Sequence, residues 1–237
     1  MAISTTSSSN DGISLRQAAL VAGFAYLLNP VSYAEFSIYP RLVIPENIAQ
    51  TAHNISTHSD QFLVAILCYF TSAIGDVVIA WALYYLLRPV SRSLSLLMAW
   101  FQLVYAGIFI VALLSLVSAY QLLTVPGYLT AFGSEPLHAQ LMLQLHVFRY
   151  DWSISLIVFG IHLVLLGYLI LRSSYVPRIL GALLVINGLG WIINGMGPYA
   201  FPTTDFFGYL QFTFLGELCF MLWLLIRGWR IKEVAEG

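Results

Sequence analysis

Six stretches of the chain, about 17–39, 61–87, 94–120, 152–171, 178–199 and 206–227, are apolar and almost free of charge. Each is as long as the ~20 residues that carry an α-helix across ~30 Å of hydrocarbon. Backbone N–H and C=O groups must pair internally in such a medium, which leaves helices or a closed barrel. A barrel would show short alternating runs, whereas these runs are continuously apolar. The rest of the composition agrees. Of 237 residues 59% are hydrophobic and 9% are charged, with 10 Lys and Arg against 11 Asp and Glu. That is too little charge to coat a soluble domain, too balanced for a nucleic-acid binder and too apolar for a disordered chain. The expected fold is all-α: a bundle of six transmembrane helices with short amphipathic helices in the outer loops. A polar leader (1–15) precedes a single transmembrane domain (16–230) and a short tail (231–237). The lipid bilayer is the expected partner, and nucleic acid is excluded.

Basic residues set the orientation. Arg16, Arg88, Arg92, Arg172, Arg178, Arg227, Arg230 and Lys232 collect on one side, leaving Arg41 and Arg149 on the other. The positive-inside bias places both termini and the turns at Arg88–Arg92 and Arg172–Arg178 in the cytoplasm. The two turns close hairpins of like orientation, a topological hint of a parallel repeat. Ala18–Leu28 followed by Ser32-Tyr33-Ala34 has the outline of a signal peptide, but a long polar leader with Arg16 as its one base favours an uncleaved helix kinked near Pro30. In the outer loops, Ile48, Ala52 and Ile55 follow Asn47 at helical spacing. Leu137, Leu141, Leu145 and Phe148 do the same after Ser134, and both sets predict short interfacial helices. Asn54-Ile55-Ser56 matches a glycosylation sequon. Cys68 and Cys219 lie in apolar runs and read as buried small hydrophobes.

Four passages carry a resemblance. They are Leu83-Tyr84-Tyr85-Leu86-Leu87-Arg88-Pro89-Val90, Phe159-Gly160-Ile161-His162-Leu163 running on to Gly167-Tyr168-Leu169, the stretch from Arg172 to Gly181 through Tyr175-Val176-Pro177, and Leu222-Trp223-Leu224-Leu225-Ile226-Arg227. Over about residues 13–230 the chain resembles the domain-of-unknown-function family 4386 of bacterial integral membrane proteins. The resemblance implies a multi-pass protein of the bacterial cytoplasmic (inner) membrane with no established activity, and it assigns no role to any residue.

The chemistry-bearing residues are the polar ones inside the spans. Counted from the basic turns at 1.5 Å per residue, Asp76 lies about 18 Å deep, His162 and Glu217 about 15 Å, and Asn187 about 14 Å. All are therefore near the midplane, where an acid costs about 2.5–3.5 kcal/mol on insertion and turns inward toward a partner or water. Asp151, Ser155 and His162 share one helical stripe, as do Tyr69, Ser72 and Asp76. Thr213 precedes Glu217 by one turn. Asn187, Trp191 and Asn194 line one side of the fifth span, beside Gly181, Gly188 and Gly195 at seven-residue intervals, a groove for close helix contact. Asn29, Ser32 and Glu35 form a polar edge nearer the outside. Arg149 beside Asp151 reads as an interfacial charge pair.

A polar cavity opening outward follows, with Asp76, His162, Glu217, Asn187, Asp151, Ser155 and Glu35 as candidates for ligand binding or a proton pathway. The same belt also reads as a hydrogen-bond network that glues the bundle. Binding of a small molecule, or a role as accessory subunit to other membrane proteins, is the leading function and is non-enzymatic. A metal-dependent intramembrane hydrolase is the alternative, with a divalent metal at Asp76, His162 and Glu217, and a proton-coupled carrier is a further one. Haem held by two histidines is disfavoured, because His162 is the only histidine within a span.

Overall fold

The computed structural model describes residues 12–45, 47–125, 127–200 and 214–231, with the backbone alone at 129 and 132. Most of the leader, residues 206–213 of the sixth apolar segment with Thr213, Lys232 and nearly all of the tail lie outside the described residues.

Described residues form helices and connecting turns, with no strand among them. In chain order the helices are α1 (Leu15–Leu27), α2 (Val31–Tyr33), a π-helical turn (Ala34–Ile38), α3 (Tyr39–Leu42), α4 (Ile48–Thr57), α5 (Ser59–Leu87), α6 (Arg92–Thr124), α7 (Tyr128–Phe132), α8 (Ser134–Arg172), α9 (Arg178–Ala200) and α10 (Leu215–Arg227), followed by a 3-10 turn, Gly228–Arg230. Among the described residues α5, α6, α8 and α9 are long and apolar enough to cross a membrane. The first apolar segment is not one continuous span. A capping box starts α1, with the Ser14 hydroxyl accepting from the Gln17 N–H and the Gln17 side chain returning the bond. The helix then stops before Pro30, which has no N–H to continue it. At 13 residues α1 is about 20 Å long, short of the hydrocarbon thickness.

Both faces of the long helices are apolar. On α5 the inward stripe includes Phe62, Tyr69, Asp76 and Leu83, while Leu63, Leu67, Phe70, Ile74, Val77 and Trp81 form a second stripe on the outer surface, each 38–52% exposed. A helix this apolar on its exposed side is built for lipid. Cys219 is also exposed, contrary to the expectation of burial, and Cys68 is half-buried.

The order of packing positions the site. α1 touches α5, α5 touches α6, α6 touches α8, α8 touches α9, α9 touches α10, and α10 returns to α1. Six helices thus close a ring in chain order. The α8–α9 seam is the tightest: a Cβ at Gly160 would lie 2.5 Å from the Gly188 carbonyl, one at Gly167 2.6 Å from that of Gly181, and one at Gly195 2.6 Å from that of Ser153. The predicted glycine groove therefore faces α8, and α8 supplies glycines of its own. The α5–α6 hairpin turns at the same end but lacks this seam, since a Cβ at Gly75 or Gly107 would meet nothing within 4 Å.

The basic turns gather at one end. The Tyr175 hydroxyl in the α8–α9 turn donates to the Leu86 carbonyl at 2.6 Å. Burial pushes this phenol above its ordinary pKa, so it stays a donor. Arg16 donates to the Ile231 carbonyl at 2.8 Å, tying the start of α1 to the chain beyond α10. At the other end α4 begins at Asn47, as expected, with the Asn47 side chain accepting from the Gln50 N–H. The predicted separate helix after Ser134 is instead the first part of α8. Its apolar stripe continues in phase into the later residues, so one 39-residue helix is about 58 Å long, well over the ~30 Å of hydrocarbon.

Candidate functional site

Inside the ring lies a cavity of about 310 Å³ whose wall takes residues from α1, the broken segment after it, α5, α6, α8, α9 and the start of α10. Its acids are Glu35, Asp76 and Glu217, and its walls are largely aromatic, among them Tyr26, Tyr105, Phe159 and Trp191.

Asp76 sits on the inward stripe of α5, one turn beyond Ser72, and is 5% exposed. Its Oδ1 accepts from Gln102 Nε2 of α6 at 3.1 Å. Gln102 is fully buried, and its own Oε1 has no hydrogen-bond partner among the described residues. Across the cavity Glu217 stands in the first turn of α10. Its Oε1 accepts from Asn187 Nδ2 at 2.7 Å and from Trp191 Nε1 at 3.0 Å. Asn187 and Trp191 are one turn apart on α9, so a single helical face delivers both donors to one oxygen. Asp76 and Glu217 thus receive neutral donors, and no basic side chain lines the cavity among the described residues.

Glu35 is different. At the outer end its Oε1 pairs with Arg149 Nη1 at 2.7 Å, and its Oε2 accepts from the Tyr69 hydroxyl at 2.6 Å. The expected pairing of Arg149 with Asp151 is therefore corrected. Arg149 lies about one turn of α8 from the cavity-lining Trp152 side, and its guanidinium stacks 4.2 Å over the Tyr39 ring while reaching Glu35. Tyr69, Phe109, Phe148 and Trp152 pack ring to ring beneath it, with Tyr69 centroids 5.5–6.0 Å from the others. This layer bounds the site on its outer side.

His162 is fully buried but does not line the cavity. Its Nδ1 lies 2.9 Å from the Met98 carbonyl of α6, so Nδ1 is the protonated donor and Nε2 has no partner among the described residues. The ring stacks against Phe159, and it is Phe159 that faces the cavity. Ser155 is buried with its hydroxyl donating to the Trp152 carbonyl at 2.6 Å, and Asp151 is half-buried; neither lines the cavity. Asp76, Glu217, Asn187 and Glu35 are thus brought to one region, whereas His162, Ser155 and Asp151 are not. Among the described residues no three His, Cys, Asp or Glu side chains are placed to hold a metal ion.

Gln102 and Tyr26 are absent from the sequence-derived set. Gln102 could have been found by the same depth count, since it lies ten residues after Arg92, about 15 Å into the span. Tyr26 carries no such signal, because a tyrosine near a helix end is commonplace at the membrane interface.

No solved structure matches the chain. An uncharacterised protein of Archaeoglobus fulgidus is 39% identical over 178 residues, a span covering 73% of this chain and 90% of the relative. The family model described as Domain of unknown function (DUF4386) matches residues 21–228, which takes in every helix of the ring apart from the start of α1. The chain therefore belongs to the DUF4386 family.

Proposed function

We propose that this protein is a small-molecule-binding membrane protein whose site is the cavity at the centre of the helix ring. The observation that carries the reading is the ring of helices, which among the described residues holds a cavity with Asp76 and Glu217 on its wall. A purely structural network needs no open space beside its acids, whereas Asp76 and Glu217 keep their hydrogen-bond partners and still face a cavity of about 310 Å³. In this reading residues 16–230 form one domain of six spans. The first and last of the six spans take in α1 and α10, which are shorter than the other four. Both termini and the basic end face the cytoplasm. The bacterial cytoplasmic membrane belongs to the same proposal, and the Archaeoglobus relative neither requires nor opposes a bacterial source. No catalytic group is assigned. The hydrolase alternative loses its basis in that His162 faces Met98 instead of the two acids.

The test is a thermal-shift screen of the purified full chain in detergent against cationic, neutral and anionic small molecules. A ligand at a hundred times its Kd stabilises by about 2.7 kcal/mol. The shift is expected to vanish in two independent cavity-filling variants, Ser72→Phe and Met221→Trp. The reading fails if no compound shifts the wild-type protein, or if the shifts persist in both variants.

A further inference from the structure

Resting on that reading, we propose that the cavity takes a monovalent organic cation with an apolar body, admitted from the lipid side. The first argument is charge balance. Of the three acids on the wall, Glu35 is neutralised by Arg149, whereas Asp76 and Glu217 meet Gln102, Asn187 and Trp191 and no base among the described residues. Two acids facing one low-dielectric space do not both ionise, so the pair carries a single negative charge, and a monovalent positive occupant matches that count where a neutral one leaves it uncompensated.

The second argument is the wall. Tyr26, Tyr105, Phe159 and Trp191 present aromatic surface around the same space, the setting in which a desolvated ammonium gains most from ring quadrupoles. The buried Tyr26 hydroxyl has no hydrogen-bond partner among the described residues although it lies in this wall, an unspent polar atom beside the acids. A compact divalent metal is poorly served here. It would need several oxygen, nitrogen or sulfur ligands converging on one point, and among the described residues no three His, Cys, Asp or Glu side chains do so.

The third argument is access. Phe36, Phe214 and Leu218 line the cavity and are also 62%, 45% and 38% exposed on the apolar outer surface. The wall between the π-helical turn and the start of α10 is thus shared by the cavity and the lipid-facing side. At about 310 Å³ the space is at the small end of ligand pockets, which run from about 300 to 1,000 Å³, and it fits one ring with an ammonium head.

The probes are benzyltrimethylammonium and its uncharged carbon isostere neopentylbenzene, titrated calorimetrically into the full chain in nanodiscs of zwitterionic lipid. The cation is expected to bind saturably and at least about tenfold more tightly than the isostere, a comparison that needs no variant. Asp76→Asn and Glu217→Gln, each checked for a monodisperse folded sample, should weaken the cation by at least about tenfold. Equal binding of cation and isostere, or full affinity in both acid variants, overturns the cation assignment while leaving a small-molecule site in place. Absence of binding by both probes, where another compound passes the cavity-filling test, also overturns the assignment alone. If no compound of any charge passes that test, the binding reading itself falls.

Discussion

Glu35 gives its two oxygens to two different helices, one to Arg149 of α8 and one to Tyr69 of α5. Arg149 in turn spends its planar face on Tyr39. Such a three-way arrangement should respond to mutation as a unit. Glu35→Gln and Arg149→Met are expected to be non-additive in detergent unfolding, with a coupling of about 1 kcal/mol; Arg149 keeps 39% of its side-chain exposure, so solvent screens part of the attraction. Asp151→Asn should change stability by less than about 0.5 kcal/mol, because Asp151 is not the partner of Arg149. Strong coupling between Asp151 and Arg149, with none to Glu35, would show that the ion pair is wrongly drawn. The sequence could not distinguish these acids. Asp151 lies two residues from Arg149 and Glu35 lies 114 away, and only tertiary packing brings the distant one to the guanidinium.

For the elements, legibility followed the physics of the bilayer. The four long helices were readable because an uninterrupted apolar run has one solution in lipid. Glycines at seven-residue intervals on α9 also announced a close-packed face, and the partner face on α8 completes it. The break after α1 and the fusion of the outer helix into α8 were less legible. Both depend on whether a helix continues across a weak boundary, which tertiary contact decides. The seam yields a direct test. Gly160→Ala and Gly188→Ala each place a methyl group within 2.5–2.6 Å of a facing backbone carbonyl, which cannot give way as a side chain could. Each should destabilise the bundle by about 1–3 kcal/mol or more, with Gly188→Leu worse. Gly75→Ala and Gly107→Ala meet open space and should be neutral or raise stability by up to about 1 kcal/mol through helix propensity. Thermal unfolding of the four alanine variants in one detergent decides it; equal effects at all four sites would contradict the seam.

At the scale of the whole molecule the basic turns share one end and Arg41 and Arg149 belong to the other. The proposed orientation is tested by cysteine labelling in a background with Cys68 and Cys219 replaced. Ser93→Cys suits the basic end better than a change at Ser91, whose hydroxyl caps α6 by accepting from the Leu94 N–H. Ser134→Cys serves the opposite end, and both positions are exposed. An impermeant maleimide applied to intact cells should modify position 134 and spare position 93; modification of position 93 alone would invert the orientation. Because the ring closes in chain order, its last seam joins the first-made helix to the last-made one. During synthesis α5, α6, α8 and α9 must therefore wait in the membrane as an open crescent, with Asp76 and Asn187 on its concave side. α10 then arrives carrying Glu217 and shuts it. A ribosome that stops before residue 215 leaves behind a polar furrow facing lipid, which a membrane protease could recognise as the mark of an unfinished chain.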